Sequence, residues 1–351
     1  MQTRLAVAVV LATLVVGGCS AQPDPRPEPD AAPTSESASE SGESPEPSAE
    51  PSREAREDRL PKVTGRLSLP TLMREQPSGG RPRITSTEYE TDAYTRHRVL
   101  YRSGDVDVSG VLLVPKGRGP FPAIVLNHGY IDPAYYVTGQ GLAREQDALA
   151  RAGYVVLHTD YRGHAASDPV FPLERETRIA YTRDAINAVP ALRKLPYVDD
   201  DRLAMLGRSM GGGVTMNAIV AQPDLVDAAV IYASVSSRLD ENVEHFTEPN
   251  RPEEARSVYD TLGTPREERA VWRGLSARSY FDRIEVPVLS HHGRVDATCP
   301  PRWATETQQA MRAAGVDSTL AWYPGEDHAF YALWQQSMNR TIAFLDRELR
   351  V

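Results

Sequence analysis

Short apolar runs and helix-like stretches alternate along most of this 351-residue chain. The first two strand-like runs predict a β-hairpin, since they flank turn residues: 94–101, Ser103-Gly104-Asp105 and 106–114. Later apolar runs predict further strands at 123–127, 154–159, 203–206, 228–232, 286–290 and 319–323. Helices are predicted at 140–152, 174–195, after a glycine-rich turn as far as 221, at 301–314 and at 335–350. The alternation predicts an α/β fold with a mostly parallel central sheet and helices on both faces.

Residues 238–279 break this alternation. The stretch is polar and helix-prone, and it is far longer than the usual connection of about 2–6 residues. Because open α/β sheets place ligand sites at the carboxyl ends of their strands, this insertion is a candidate helical lid. A surface excursion without any gating role is the alternative.

The first 19 residues predict an export signal. Arg4 precedes an apolar run over residues 5–16, which is shorter than the about 20 residues that span a membrane comfortably. The run ends in Val16-Gly17-Gly18-Cys19, which resembles the bacterial lipobox. Cys19 is therefore expected to carry acyl chains such as palmitate and to anchor an exported lipoprotein at the extracytoplasmic face of the cell membrane. An ordinary cleaved signal peptide with a chance cysteine is the alternative.

Residues 20–58 predict a disordered linker. They hold eleven acidic and three basic residues, are rich in Pro, Glu, Ser and Ala, and contain almost no large apolar side chain. Such a segment cannot bury enough apolar surface to offset its ordering entropy, and proline and like charges keep it extended. A binding role for this acidic segment is the alternative to a plain spacer.

The remaining residues, 59–351, are predicted to form one domain. Most of the formal net charge of −9 falls in the linker, and no basic block points to a nucleic acid partner. Two cysteines cannot build a disulfide framework. Since no His, Cys or Asp cluster has the spacing of a metal site and no cofactor motif stands out, we expect neither a metal nor a cofactor. The oligomeric state leaves no signature in the sequence.

The run Gly207-Arg208-Ser209-Met210-Gly211 has the pattern G-x-S-x-G. It directly follows a predicted strand and directly precedes a predicted helix, which is the context in which this pattern holds a nucleophilic serine on a sharp turn. The glycines leave room for that turn, and the helix points its first N–H groups at the site. Ser209 is therefore the predicted nucleophile; a glycine-rich turn that only packs closely is the alternative.

A serine hydroxyl needs a base, and the base needs an acid that orients it. In α/β-hydrolases the acid and then the histidine follow the serine along the chain. His328 lies in the loop after the last predicted strand, and Asp296 lies in the loop after the strand before it, so these two are the predicted base and acid. Other residues after Ser209 are worse placed for either role: His245, His291, His292, Asp282, Asp317 and Asp327.

Two backbone N–H groups are predicted to stabilise the tetrahedral intermediate, those of Met210 and Tyr130. Tyr130 ends the run His128-Gly129-Tyr130, directly after the strand at 123–127. A second loop, Asp160-Tyr161-Arg162-Gly163-His164, is expected to shape the floor of the site. Cys299 is expected to be a small buried thiol and not a nucleophile.

From about residue 94 to residue 351 the chain resembles the catalytic domain of the prolyl oligopeptidase type and its relatives, the dienelactone-hydrolase-like esterases. The resemblance rests on Asn127-His128-Gly129, Asp160-Tyr161-Arg162-Gly163, Gly207-Arg208-Ser209-Met210-Gly211-Gly212, His292-Gly293 with Asp296, Pro300-Pro301, and Tyr323-Pro324-Gly325 with His328. It implies the α/β-hydrolase fold and the triad of Ser209, Asp296 and His328.

Two departures from the peptidases of this group favour ester hydrolysis. The full peptidases carry a large N-terminal propeller, for which the about 35 residues between linker and hairpin leave no room. Several of them also use a tyrosine hydroxyl as an oxyanion donor, and we match that position to Asn127, which cannot serve identically. We predict a membrane-tethered hydrolase of small carboxylic esters. A serine peptidase or amidase acting on short peptides is the second hypothesis, and a lipid-anchored binding module without activity is the third.

Overall fold

The computed structural model describes residues 60–351, so the predicted signal peptide, Cys19 and the linker at 20–58 lie outside the described residues. Within 60–351, no helix combines the length and the apolar character that crossing a membrane would require. The described residues fold around one central sheet. The loops that carry the predicted site residues lie at the carboxyl ends of its parallel strands, and this end is called the sheet edge below.

Nine strands form this sheet: β1 (Arg83–Glu90), β2 (Tyr94–Ser103), β3 (Val106–Pro115), β4 (Phe121–Asn127), β5 (Val155–Thr159), β6 (Val198–Arg208), β7 (Ala228–Tyr232), β8 (Val288–Gly293) and β9 (Ser318–Tyr323). Their order is β1-β2-β3-β5-β4-β6-β7-β8-β9. The pairs from β1 to β5 are antiparallel, and all pairs from β5 through β4 to β9 are parallel. The predicted mostly parallel α/β-hydrolase sheet is confirmed.

The helices are α1 (Leu69–Leu72), α2 (Ala143–Arg151), α3 (Pro172–Glu176), α4 (Ile179–Arg193), α5 (Met210–Ala221), α6 (Leu239–Asn242), α7 (Glu248–Asn250), α8 (Pro252–Leu262), α9 (Arg269–Gly274), α10 (Pro301–Ala313) and α11 (Trp334–Glu348). A π-helical turn at Val243–Thr247 and a 3-10 segment at Ala277–Arg283 complete the helical structure. Every residue of α5 is buried, which fits its position directly behind the central strand β6.

The parallel strands are buried on both faces, as their continuous apolar runs predicted. In β5, Val155 and Leu157 pack into the hydrophobic core on one side, whereas Val156 packs into the core on the other. Because successive side chains of a strand point to opposite faces, each face of the sheet needs its own layer of helices. This sandwich fixes the strand ends from which the site loops project.

The sequence did not predict β1. Its eight residues are almost entirely exposed and it pairs with β2 alone, as an edge strand. An edge strand that buries no apolar side chain is held by its backbone hydrogen bonds, so it leaves no hydrophobic pattern to find.

The single helix predicted over residues 174–195 is wrong in one respect, because the structure has two helices there. α3 ends at Glu176 and α4 begins at Ile179, and between them Arg178 has a left-handed backbone with φ +61°. That conformation is uncommon outside glycine, and no glycine or proline stands at the break to predict it. The break separates α3 from α4, and the Arg178 side chain at the break lies beside the first turn of α5.

The insertion at 238–279 packs as part of the domain. Val243, Val258 and Trp272 are buried in the same hydrophobic core that α4 and α5 contribute to. One stretch of it, from Val243 to Arg251, also lines a cavity beside Ser209. The insertion is therefore a wall of the site, and its movement as a lid stays a prediction.

Candidate active site

Ser209 lies between the end of β6 and the first residue of α5. Its backbone has φ +56° and ψ −121°, a conformation that costs a non-glycine residue about 1–3 kcal/mol. Such strain at a strand-to-helix turn lifts the side chain above the sheet edge, as the G-x-S-x-G pattern predicted. The Ser209 N–H donates to the Tyr232 carbonyl at 2.9 Å, which ties the turn to the neighbouring strand.

The glycines around Ser209 are required by close approach of backbone to backbone. A Cβ atom at Gly207 would lie 2.0 Å from the Gly211 carbonyl oxygen, and one at Gly211 would lie 1.9 Å from the Asn127 carbonyl oxygen. Gly129 passes directly over the nucleophile, since a Cβ there would lie 3.1 Å from the Ser209 Cβ. These contacts bring the loop after β4 within reach of whatever Ser209 attacks.

His328 and Asp296 meet at the same sheet edge. The His328 Nδ1–H donates to Asp296 Oδ2 at 2.9 Å, which leaves Nε2 as the basic nitrogen of the ring. The other carboxylate oxygen of Asp296 accepts the backbone N–H groups of Thr298 at 2.9 Å and Cys299 at 2.8 Å. Asp296 is therefore a buried, fully hydrogen-bonded acid that fixes the orientation and tautomer of His328.

The Ser209 hydroxyl lies beside the Cys299 thiol, and among residues 60–351 it makes no hydrogen bond to the His328 ring. Catalytic hydrogen bonds of this kind are often long before substrate binds. Burial raises the pKa of the Cys299 thiol, and the nearby Asp296 carboxylate raises it further. Cys299 stays protonated at neutral pH, in keeping with the predicted small buried thiol.

The two predicted oxyanion donors lie on either side of Ser209. Met210 is the first residue of α5, and Tyr130 follows Gly129 in the loop that passes over the nucleophile. Within the part of the chain that the structure describes, neither backbone N–H donates a hydrogen bond to a protein group. Both residues line the cavity beside Ser209, and their role as donors to a substrate oxygen stays a prediction.

Comparison with known proteins identifies the family. The model of the prolyl oligopeptidase family matches residues 141–351. The chain belongs to the prolyl oligopeptidase family. It is a serine hydrolase, and both esterases and peptidases occur among its relatives.

The relatives span both activities. An uncharacterized peptidase of Bacillus subtilis, YuxL, is 27% identical over 248 residues, which are 66% of this chain and 35% of that protein. Esterase EstD of Thermotoga maritima is 28% identical over 178 residues, which are 46% of this chain and 39% of that protein. The chain thus matches well under half the length of these curated relatives. Acetyl xylan esterase 1 of a Thermoanaerobacterium species shares the fold, with a TM-score of 0.60, 18% identity, and coverage of 79% of this chain and 92% of that one.

The remaining histidines that follow Ser209 have structural partners. His291 is buried between the Tyr323 hydroxyl at 2.8 Å and the Thr341 hydroxyl at 3.0 Å. His292 donates from Nε2 to the Cys299 carbonyl at 2.9 Å and so supports the loop that carries Asp296. His245, in the insertion, reaches the Thr298 carbonyl of the same loop at 3.2 Å. None of the three competes with His328 for the role of base.

Asp327, adjacent to His328, joins the two catalytic loops. Its carboxylate accepts the backbone N–H of Ala297 at 3.2 Å and that of His328 at 2.6 Å, and these hydrogen bonds lower its pKa. It does not contact the imidazole, as its position in the sequence predicted.

The Asp160 loop contacts the residue that precedes Gly129 and Tyr130, since the Tyr161 hydroxyl donates to the His128 carbonyl at 3.3 Å; that it shapes the floor of the site stays a prediction. The Asp160 carboxylate accepts hydrogen bonds from Tyr136 Oη at 2.7 Å, Ser109 Oγ at 2.6 Å and the Gly139 N–H at 2.8 Å. His128 is stacked on Tyr136, and burial lowers its pKa to about 3. A neutral, buried ring therefore supports the loop that carries the Tyr130 donor.

Arg208 is a functional residue that sequence reasoning missed. Although it is a variable position of G-x-S-x-G, its buried guanidinium donates to Glu145 Oε1 at 2.5 Å and to the His328 carbonyl at 3.3 Å. Glu145 also accepts the Trp334 indole N–H at 3.0 Å. Arg208 therefore anchors the His328 loop to the turn that holds Ser209.

A cavity of about 450 Å³ opens beside Ser209. Val235, Val243 and Phe246 give it apolar walls, and three arginines line it on one side: Arg175, Arg178 and Arg251. Glu176 accepts hydrogen bonds from Arg175 at 2.9 Å and from Arg251 at 2.6 Å. The sequence held no signal for this cationic wall, because its members come from α3, the α3–α4 break and the insertion.

Within residues 60–351, the set of three or more potential metal ligands close enough to share one ion consists of Asp199, Asp200 and Asp201. They lie at the start of β6, at the opposite end of that strand from Ser209.

Proposed function

We propose that this protein is a membrane-tethered serine hydrolase that cleaves carboxylic esters through an acyl-enzyme. The observation that carries the chemistry is the Asp296–His328 hydrogen bond of 2.9 Å beside a strained Ser209, which is flanked by two backbone donors that have no protein partner among residues 60–351. Family membership supports the same reaction class. The roles given below to individual residues are part of the proposal.

In acylation, Ser209 Oγ attacks the carbonyl carbon of the ester while His328 Nε2 takes the hydroxyl proton. Asp296 holds the imidazolium that forms, and the N–H groups of Met210 and Tyr130 stabilise the oxyanion. The tetrahedral intermediate collapses, and His328 returns the proton to the departing alkoxide. Water then attacks the acyl-enzyme with His328 again as base, which releases the acid and restores Ser209.

Ester cleavage is favoured over amide cleavage by the donors that the site offers. The strand end that could supply an additional side-chain hydroxyl holds Asn127 and His128, and both side chains are buried. The Asn127 amide donates to the Thr215 hydroxyl at 2.9 Å, beneath α5. Without a side-chain hydroxyl at that strand end, the reaction that needs less activation, loss of an alcohol, suits this site better than loss of an amine.

A peptidase or amidase is the second candidate. It is favoured by the family to which the chain belongs and by its 27% identity to a relative named as a peptidase. The triad and the donors would act in the same way, with His328 protonating an amine as it leaves.

The two candidates are separated by comparing leaving groups on one acyl chain. The full-length protein, extracted in detergent, is given 4-nitrophenyl butyrate, butyryl 4-nitroanilide and aminoacyl 4-nitroanilides, with Ser209→Ala as the blank. We expect ester turnover that Ser209→Ala lowers by about 10^4-fold or more, with little anilide turnover. Anilide turnover comparable to that of the ester would replace the esterase proposal with a peptidase.

The tether is proposed from the sequence alone, since Cys19 lies outside the described residues. In cells fed an alkyne-tagged palmitate, the protein should be labelled and should sediment with membranes. Cys19→Ser should lose the label and leave the membrane fraction, whereas Cys299→Ser, the control cysteine, should keep both. Equal labelling of Cys19→Ser and the unchanged protein would contradict lipidation at Cys19.

A further inference from the structure

Arg178 differs from Arg162 and Arg208, which are buried and paired, whereas Arg178 is half-buried. Arg162 is paired with Asp184 at 2.6 Å and Arg208 with Glu145 at 2.5 Å. Among residues 60–351 the Arg178 guanidinium has no hydrogen bond and no ion pair, although it lines the cavity next to Ser209. Burial lowers its pKa to about 10, so it is still charged at neutral pH. A cation that is partly removed from water and has no partner is unfavourable, and an incoming anion would remove that penalty.

Two contacts place the Arg178 guanidinium close to Ser209. The Arg178 Nη1 lies 3.3 Å from where a Cβ of Gly213 would be, which places the guanidinium against the first turn of α5. The charge of Arg178 also acts on the Cys299 thiol, which lies beside the Ser209 hydroxyl. The cation therefore faces the space in which a substrate bonded to Ser209 would extend.

The acidic residues of the cavity do not satisfy Arg178. Glu176 attracts it but already accepts hydrogen bonds from Arg175 and Arg251. Asp132, the other carboxylate of the cavity, is exposed at its rim and accepts the Ala134 N–H at 2.9 Å. Arg175 also lies 3.9 Å from Glu254, so of the three arginines that line the cavity Arg178 is the one without an ion pair among the described residues.

The cavity belongs to the acyl side of the scissile bond. It is lined by Ser209, Met210 and Tyr130, which contact the carbonyl group under attack, but not by His328. Because His328 must protonate the leaving group, the leaving group lies towards His328. The part of the substrate that stays bonded to Ser209 then extends into the cavity.

We propose that Arg178 binds a carboxylate on the acyl part of the substrate, so that the enzyme selects esters of short dicarboxylic acids. This rests on the acyl-enzyme mechanism of the proposed function and names the substrate class of the same site. Arginine suits the task because its planar donors match a carboxylate in a two-point contact. The cavity of about 450 Å³ limits the acyl part to a short chain.

The test compares two aryl esters with the same leaving group and four acyl carbons, mono-4-nitrophenyl succinate and 4-nitrophenyl butyrate. The measured quantity is the ratio of their kcat/KM values. We expect the full-length enzyme to favour the succinate ester and Arg178→Met to lower the ratio about 10- to 100-fold, since a hydrogen-bonded charge is lost. Arg178→Lys should restore part of the preference. Arg312→Met, which alters an exposed arginine in the last turn of α10, should leave the ratio unchanged.

Two results would overturn the proposal. One is a ratio that Arg178→Met does not move; the other is an equal fall for both esters, which would give Arg178 a structural role. If the enzyme proves to cleave anilides and not esters, the ester proposal fails, and the ratio for succinyl and butyryl anilides tests Arg178 in its place. Calorimetry with the Ser209→Ala protein adds a readout free of turnover: succinate should bind more tightly than butyrate, and Arg178→Met should abolish that difference.

Discussion

The two sides of Ser209 differ in how their charges are paired. We call the side with Asp296, His328 and Arg208 the histidine side, and the side with Glu176, Arg178 and Arg251 the cavity side. On the histidine side, the charged groups that hold the site are paired, with Asp296 bonded to His328 at 2.9 Å and Arg208 bonded to Glu145 at 2.5 Å. On the cavity side, Glu176 bonds to two arginines, and Arg178 has no partner among the described residues. The histidine side therefore has its charges paired within the protein, whereas the cavity side of the described domain leaves one arginine free to pair with a ligand. If the proposed roles hold, chemistry and recognition use opposite arrangements of the same kinds of side chain.

The largest effect is expected on the histidine side, from Asp296→Asn. An amide in place of the carboxylate no longer holds the Nδ1–H tautomer of His328, so kcat should fall about 10^4-fold for every substrate alike. Steady-state kinetics with the succinate and butyrate esters measure this. Asp327→Asn is the matched control, because Asp327 contacts only backbone N–H groups and its loss should cost about tenfold or less. Equal losses for the two variants would remove Asp296 from the triad.

The free energy of unfolding should respond differently to loss of the paired Arg208 and to loss of Arg178. Arg208→Met leaves Glu145 buried and without its cation, so the free energy of unfolding should drop by about 3–5 kcal/mol. Arg178→Met removes a cation that has no partner in the described domain, so its free energy of unfolding should stay level or rise. Chemical denaturation of both variants measures the contrast. A recovery of stability in Arg208→Met/Glu145→Leu would assign the loss to the stranded carboxylate, and similar losses in the two single variants would contradict the comparison.

A smaller effect is expected from His128, the buried neutral histidine that precedes Gly129 and Tyr130. Burial lowers the pKa of His128 to about 3, whereas an unfolded histidine titrates near 6.5, so between these values the unfolded state binds the extra proton. Stability is therefore retained above about pH 6.5 and declines as the pH falls towards 3. Between pH 7.5 and pH 5.0 the wild-type protein should lose about 2 kcal/mol more unfolding free energy than His128→Gln. An identical pH dependence of the two proteins would show that His128 titrates normally in the fold.

The histidine side was predictable from sequence because short-range patterns, a glycine-rich turn and loops that follow strands, set the positions of its residues. The G-x-S-x-G turn needs Gly207 and Gly211 for space, and acid and histidine loops must follow strands at one sheet edge. The structure brings Ser209, Asp296, His328, Met210 and Tyr130 to that edge. Cys19 and the linker at 20–58 lie outside the described residues and remain predictions.

The cavity side was not predictable, because distant segments create it. The left-handed backbone of Arg178, which interrupts the predicted helix at 174–195, has no local sequence signature. Arg251 donates a hydrogen bond to Glu176, which lies 75 positions away along the chain. Arg208 was missed for a related reason: its partner Glu145 lies on α2, 63 positions away. Tertiary contacts of this kind decide which charges are paired, and no short-range pattern records them.

The close approach of Gly211 to the Asn127 carbonyl has an evolutionary consequence. Not even an alanine fits there, so a lineage that keeps the reaction cannot alter this turn. Arg178 stands on another element, at a break between two helices, and its side chain lines the cavity beside Ser209. If Arg178 binds the substrate's carboxylate as proposed, descendants of this protein could exchange one acid for another as substrate by changes at the cavity wall, while the reacting atoms stay where they are.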